Sequence, residues 1–442
     1  MTSVGIRLNF LFFLFSFLLV NAQKSFSLPQ AIEEGLKNNI ELKNAKLDIE
    51  YAKAVNKEIL GKGLPQLSAN GNFVYNYNLP TSLIPESAFN PMAPKDKLQP
   101  VVFAQSYIFL GQLQATQVLF EPSLFVAYKA RKVLVELSTI SASRTELDVK
   151  EAITKAYYTV LVNKKRIDLL ESNLTVLKKT KFTVEQLYKN GFSEKLDVDR
   201  LTVSLNGLES EKIKVTQLLQ LTENLLKFQI GIDLNESIEL TDKLDEKEIQ
   251  KIASLLADEI LAENSIEYQL SISNLKRKQF ELQNQQLSKL PTIAAFWNYG
   301  YNGPTNNFNN VTFYSQGSEG INISIPLFSG FSKNAKIRQA KIELEKSKNN
   351  LDLLKKQYEI KGKSLSVNLR NAILTYNLEK QNMTLAEKVF KQTQKKYEVG
   401  TGTNLEIVQS QKDFVQAQTN FYNSLYEIII NKTEYLKALN KL

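Results

Sequence analysis

Two periods of apolar residues run along this chain, and each occurs twice. From Gln66 the apolar positions recur every second residue: Leu67, Ala69, Gly71, Phe73, Tyr75 and Tyr77 share one face, and Gln66, Ser68, Asn70, Asn72, Asn76 and Asn78 the other. A period of two is the mark of a strand. An aromatic face backed by a neutral amide face is the pattern of a strand with lipid on one side and water on the other. The segment from Tyr107 continues it, with Tyr107, Phe109, Leu113 and Ala115 opposite Gln112, Gln114 and Thr116. In the second half Ile293, Ala295, Trp297, Tyr299 and Tyr301 repeat the aromatic face, and Ile321, Ile323 and Ile325 oppose Asn322 and Ser324. Four strands are expected. The connection 79–105 holds Pro80, Pro85, Pro91, Pro94 and Pro100, which argue against regular structure there; the other, 303–310, is short and rich in Asn.

The second period is close to seven. Between Ser123 and Asn190 there is neither Pro nor Gly, and Ile153, Val160, Ile167 and Leu174 recur every seventh residue beside Leu170, Leu177 and Val184. This predicts a coiled-coil seam on a helix of about 100 Å. A matching stretch, Ser332 to Val399, is interrupted only by Gly362. Each ends at a glycine turn (Gly191; Gly400 and Gly402) and is followed by an antiparallel partner, Glu194 to Ile230 and Asn404 to Leu439. Shorter helices, Leu28 to Leu60 and Ile252 to Lys289, are expected before the first strand of each half.

The two halves are copies. Asn38, Ile40, Glu41, Leu64-Pro65, Ala69, Asn72, Tyr75 and Asn76 recur in order as Asn264, Ile266, Glu267, Leu290-Pro291, Ala295, Asn298, Tyr301 and Asn302. Tyr188 and Gly191 likewise recur as Tyr397 and Gly400. Matches held in register signal duplication. The expected division is a secretory signal at 1–22, a first repeat at 23–230, a linker at 231–251 and a second repeat at 252–442.

Four strands cannot close a membrane barrel, since single-chain barrels need about eight. Open edges in lipid cost several kcal/mol per unsatisfied group, so the chain is expected to oligomerise. A trimer would supply twelve strands, though counting alone does not separate it from a dimer. Composition narrows the function. The chain has no Cys and no His, so thiol and imidazole catalysis are excluded, and no phosphate-loop, dinucleotide or metalloprotease motif is present. A non-enzyme without cofactor or metal is expected. Arg7 followed by the apolar run to Val20 and a cleavage site at Ala22 reads as a secretory signal. The net charge of +9 is scattered along helices rather than massed, which disfavours nucleic-acid binding.

Taken together, Ser27-Leu28-Pro29-Gln30-Ala31-Ile32, Leu64-Pro65-Gln66, Ile325-Pro326-Leu327-Phe328-Ser329-Gly330 and Tyr397-x-x-Gly400-x-x-x-x-Leu405-Glu406 resemble the TolC family of outer-membrane efflux and secretion channels, over essentially the whole mature chain. The resemblance implies a mixed α and β membrane protein with a long antiparallel α-helical coiled-coil barrel. Four β-strands per chain would contribute to a trimeric twelve-stranded outer-membrane β-barrel. It implies a homotrimer in the outer membrane of a Gram-negative bacterium, reaching into the periplasm. The partners implied are outer-membrane lipid, a periplasmic adaptor (membrane fusion) protein, and an inner-membrane resistance-nodulation-division pump or ATP-binding exporter. Carried over by motif, the periplasmic gate would involve Asp197, Tyr397, Gly402, Glu406 and Gln409, with Gly191 and Gly400 as hairpin-tip turns. Gly402 stands where the family has a constricting arginine, and Gln409 where it has a second aspartate. The lipid-facing residues expected are Phe73, Tyr75, Tyr77, Trp297, Tyr299, Ile321 and Ile323. A dedicated type I protein-secretion duct is the alternative within transport; a structural coiled-coil envelope protein is the alternative of another class.

Overall fold

A computed structural model describes residues 24–244, 256 and 258–442. The expected signal at 1–22 lies outside the described residues, as do residues 245–251 of the expected linker. The described chain forms two compact units, one drawn from residues 24–49, 138–271 and 350–442 and the other from 50–137 and 272–349.

The first unit is mostly helix. Helix α3 (Pro122–Lys189) begins in the second unit and ends here, as does α6 (Ser332–Glu398). Each is followed by its antiparallel partner, α4 (Lys195–Ile230) and α7 (Asn404–Ala438). The seam residues Ile153, Val160, Leu170, Leu174, Leu177 and Val184 are buried, as the heptad requires. A second core joins Tyr358, Leu365, Leu369 and Tyr376 of α6 to Phe421, Leu425, Ile428 and Tyr435 of α7. At the chain's start β1 (Lys24–Phe26) pairs in parallel with β6 (Ile238–Leu240). The fully buried Tyr157 locks that pair: its single hydroxyl hydrogen is shared between the Phe26 carbonyl at 2.9 Å and Asp242 Oδ2 at 3.0 Å.

The expected helix Leu28–Leu60 is two helices, α1 (Leu28–Asn38) and α2 (Ile40–Gly61). Asn39 divides them with ψ at 126°. Its Oδ1 accepts from the Leu42 amide and its Nδ2 donates to the Gln229 carbonyl, so the side chain replaces helix bonds with its own. Ser265, the position matching Asn39 in the repeat, does the same: its hydroxyl accepts from the Tyr268 amide and donates to the Ala262 carbonyl. Of the helix expected over Ile252 to Lys289, residues 252–255 and 257 lie outside the described residues; the described part is a short 3-10 turn at Ala262–Asn264 and then α5 (Ile266–Leu287), which starts just after Ser265.

The second unit holds a four-stranded antiparallel sheet of β2 (Gln66–Tyr75), β5 (Tyr107–Phe120), β7 (Thr292–Thr305) and β8 (Tyr314–Ser324), ordered β2-β5-β7-β8. Both edges, β2 and β8, have no further strand paired to them among the described residues. The proline-rich connection is not structureless: β3 (Thr81–Pro85) and β4 (Leu98–Val102) form a ribbon containing Pro85 and Pro100. A two-stranded ribbon is all edge, so proline can sit where no ladder donor is needed. The second connection is shifted rather than shortened: β7 runs through Gly303 and Pro304 to Thr305 and β8 starts at Tyr314, so it spans 306–313. Among the described residues no helix is long and apolar enough to cross a membrane.

Burial raises the Tyr157 phenol well above the ordinary tyrosine value of about 10, with Asp242 adding to it. A raised folded-state pKa means the fold holds this proton more tightly than the unfolded chain does. Tyr157 therefore contributes stability below about pH 10 that is lost as pH rises further. Tyr157→Phe is expected to cost about 0.5–1.5 kcal/mol at neutral pH by removing the hydroxyl's bonds to Phe26 and Asp242, the Phe26 carbonyl keeping the Thr241 amide at 3.0 Å. It is also expected to flatten the alkaline fall in stability, measured by chemical unfolding across pH 8 to 11 at 25 °C.

Candidate functional site

Two parts of the chain carry chemistry: the sheet and the two hairpin tips. In the sheet, paired residues share a face, so the register sorts the side chains. One face carries Phe73, Tyr75, Tyr107, Phe109, Leu113, Trp297, Tyr299, Tyr301, Ile321 and Ile323. The other carries Ser68, Asn70, Asn72, Gln112, Gln114, Asn298, Gln316 and Ser318. Tyr77 does not belong to this set, because β2 ends at Tyr75 and Tyr77 stands in the connection, 89% exposed. On the aromatic face Phe73 packs on Phe109 and Tyr75 on Tyr107, with centroids 4.8 and 4.9 Å apart. The β7–β8 connection folds down onto them: Phe308 lies 5.6 Å from Tyr107 and 5.7 Å from Phe109. Gly303 permits this, since a Cβ there would stand 2.7 Å from Val311 and 2.9 Å from Phe313.

At the first tip, α3 ends with Gly191 at φ 78°, and the Phe192 amide reaches back to the Leu187 carbonyl at 2.8 Å. This is a left-handed glycine cap. The second tip has Gly400 at φ 78°, but both the Thr401 and Gly402 amides turn back on the Lys396 carbonyl, at 2.9 and 3.0 Å. That tighter turn explains Gly402: a Cβ would stand 2.9 Å from the Tyr397 nitrogen and 3.1 Å from the carbonyl carbon of Lys396. No arginine fits here unless the backbone moves.

The carboxylates have local duties. Glu406 closes a capping box with Thr403: its Oε2 accepts from the Thr403 amide at 3.0 Å, and its own amide donates to the Thr403 hydroxyl. Gln409 donates to Asp413 at 2.8 Å, one turn along α7. Asp197, in the first turn of α4, accepts from the Ser193 hydroxyl and lies 3.7 Å from Arg200. Tyr397 packs against the Leu177–Val184–Leu201 cluster. Burial first, and then the Asp197 charge, raise its phenol above the ordinary range. The structure thus brings Asp197 and Tyr397 together, while Glu406 and Gln409 make their contacts along α7.

Asn404 was not anticipated. Its Nδ2 donates to the Asp197 backbone carbonyl at 3.1 Å, joining the two hairpins, and the residue is only 6% exposed. The available signal was an amide at the first helical position of α7, where an N-cap reading already fitted Thr403.

Residues 269–441 match the outer membrane efflux protein family. The chain is 18% identical over 345 residues to the outer membrane protein TolC of Vibrio cholerae serotype O1, covering 76% of this chain and 78% of that protein. Its fold is that of the outer membrane protein VceC of Vibrio cholerae, with a TM-score of 0.70 and 16% identity over 93% of this chain and 95% of the other. The CmeC outer membrane channel of Campylobacter jejuni is similar, with a TM-score of 0.70 and 14% identity over 94% and 85% of the two chains.

Gly402→Arg should displace the second turn. The expected result is faster hydrogen exchange at the Thr401 amide than in the parent, while Gly191, in the other tip, stays unchanged. Unaltered protection at Thr401 would mean the turn has room for a side chain.

The family domain over the second half, the TolC relative and an architecture shared across more than nine-tenths of the chain agree: residues 269–441 carry an outer membrane efflux protein domain, the chain has the fold of outer membrane channels, and it is located in the Gram-negative outer membrane, reaching into the periplasm.

Proposed function

We infer that three copies of this chain form a passive channel-tunnel, without a catalytic site, that conducts substrates delivered by an inner-membrane pump and a periplasmic adaptor to the outside. The observation that carries this reading is the four-stranded sheet with two open edges and one aromatic face. Joining β8 of one copy to β2 of the next satisfies both edges at once, and three copies give twelve strands with aromatics outward and amides inward.

A second stripe supports assembly. On α6, Leu353, Ile360, Val367 and Leu374 recur every seventh residue and are between 53% and 69% exposed, on the side away from the buried seam with α7. A heptad stripe left in water calls for a partner helix, and a neighbouring copy supplies one. The lumen-side amides of the sheet carry no charge, which suits a conduit that retains nothing. At the tips, Asp197, Tyr397, Gly402, Glu406 and Gln409 would line the aperture, with Gly191 and Gly400 shaping its rim. Asp197 would serve there as the tip pair of Tyr397, and each chain would offer a single ring carboxylate, Glu406.

In mild detergent the protein should run as a trimer. Tyr75→Lys or Ile323→Lys should cost about 2–4 kcal/mol per chain if buried at mid-bilayer and should lower trimer yield. Asn72→Lys, on the amide face, should assemble normally. A stable monomer that keeps its β-signal, or equal loss in all three variants, would overturn the reading.

The aperture assignment is tested separately in planar bilayers. Three Glu406 side chains would attract a trivalent cation added on the periplasmic side, and conductance should fall. Glu406→Gln can still cap α7, so it removes charge without unravelling the helix start, and it should abolish the block. Glu50→Gln, whose carboxylate pairs with Lys53, should leave the block intact.

A further inference from the structure

The four sheet strands contain a single charged residue, Glu319. Charge returns where the strands end, and it returns with one sign. After β8 the chain has no acidic residue before Glu343 but carries Lys333, Lys336, Arg338 and Lys341. After β5, beyond Glu121, none precedes Glu136, while Lys129, Arg131 and Lys132 stand in between. Both repeats thus open their long helix with cations. Lys336, Arg338 and Lys341 are exposed, and their side chains have neither a hydrogen bond nor an ion pair among the described residues.

Between strand and cations lies an apolar turn. Leu327, Phe328 and Phe331 are 91%, 77% and 71% exposed, and the Phe328 and Phe331 rings meet edge to face at 5.5 Å. Phe331 holds φ at 64°, a left-handed conformation that a bulky side chain adopts only under strain. Leu119 and Phe120, which match Leu327 and Phe328 in the repeat, are exposed as well. The sheet fixes the level of this belt. Lys333 donates to the carbonyl of Ser288, which lies just before β7 and its first residue Thr292, the partner of Ser324 at the end of β8. Lys336 and Arg338 then stand at most about 5 and 8 Å further along α6. The headgroup layer beyond the hydrocarbon is about 5–8 Å deep on each side. Apolar strand, aromatic turn and cation thus follow the order of acyl chain, interface and phosphate.

A second copy does not supply the missing anions. Joining β8 to the β2 of a neighbour brings the end of that copy's α2 beside this belt, because β2 starts at the same end of the sheet where β8 finishes. That end carries Lys57 and Lys62, and its Glu58 is already held by Lys62 at 3.0 Å. The neighbour therefore adds cations and no free carboxylate.

We propose that Lys336, Arg338 and Lys341, with the Leu327–Phe331 turn, form a binding surface for the phosphate of an anionic glycerophospholipid, such as phosphatidylglycerol, in the periplasm-facing leaflet. The rings sit among the upper acyl chains, and the long basic side chains reach the phosphate while their stems stay on apolar surface. The surface rests on the reading that the aromatic face of the sheet meets lipid.

Trp297 is the only tryptophan in the chain and lies on that aromatic face, so its fluorescence reports the lipid around the sheet. The full-length protein is reconstituted in phosphatidylcholine vesicles doped with lipid brominated on its acyl chains, carrying either a glycerol or a choline headgroup. Brominated phosphatidylglycerol should quench Trp297 at about fivefold lower mole fraction than brominated phosphatidylcholine. The combined variant Lys336→Gln, Arg338→Gln, Lys341→Gln should make the two lipids equal. Lys346→Gln with Lys348→Gln, where the lysines are paired with Glu343 and Glu345, should keep the preference. Equal quenching by both lipids in the parent, or a preference that survives the combined variant, overturns the headgroup surface while leaving the lipid-facing assignment standing. A combined variant that keeps the preference but changes its oligomeric size in detergent places a neighbouring copy on this face and also overturns the proposal. Absence of quenching by either lipid overturns both readings.

Discussion

The unpaired backbone of β2 and β8 governs everything else in this protein. Ten and eleven residues respectively form these edge strands, and each leaves a row of amide and carbonyl groups without a strand partner among the described residues. In water such edges are solvated; in hydrocarbon each missing bond costs several kcal/mol. Insertion and assembly are therefore one process in the proposed channel, because a monomer cannot enter the membrane without leaving those groups bare. The same constraint explains the composition of the strands. A sheet that sits between lipid and water keeps charge off both faces, and Glu319 is the single departure from that rule.

How much could be read from the chain depended on whether the cause was local. The period of two placed the aromatic and amide faces correctly, because alternation is fixed by strand geometry. It could not say where a strand stops, and so Tyr77 was included although β2 ends at Tyr75. The seam of α3 was legible because a coiled coil writes its partner into every seventh residue. The breaks at Asn39 and Ser265 were harder: neither is Pro or Gly, and each interrupts its helix by hydrogen-bonding to backbone groups nearby. Their matching positions in the repeat were the clue, since two polar caps at equivalent sites are improbable by accident. The ribbon of β3 and β4 was hidden by its prolines, which are harmless where both strands are edges.

Duplication supplied one plan and divergence gave its copies different tasks. Both long helices bury a seam, α3 through Ile153, Val160 and Leu174 and α6 through Tyr358, Leu365 and Leu369, but α6 also turns a second heptad, Leu353, Ile360, Val367 and Leu374, outward. The buried seam of α6 stabilises the chain, and in the proposed trimer its outward stripe joins the chain to its neighbour.

The tips diverge as well, and here the consequence reaches the proposed gate. Both turns use a left-handed glycine, but the second folds two successive amides onto Lys396 and so closes the space where a side chain at 402 would stand. An arginine link, which the family resemblance would place there, is a charged contact that ionic strength weakens. In its place this chain uses Asn404, whose amide donates to the Asp197 carbonyl from a buried position. That bond carries no net charge and is shielded from solvent, so salt screening leaves it intact. It also leaves the Asn404 Oδ1 buried without a partner, a cost of about 1–3 kcal/mol borne by the joined arrangement. The two hairpins are thus held by a contact that salt does not loosen and that is held short of full stability by its own unsatisfied oxygen. A tip built this way would yield to a docking partner that offers Asn404 a donor, rather than to a change in the surrounding ions.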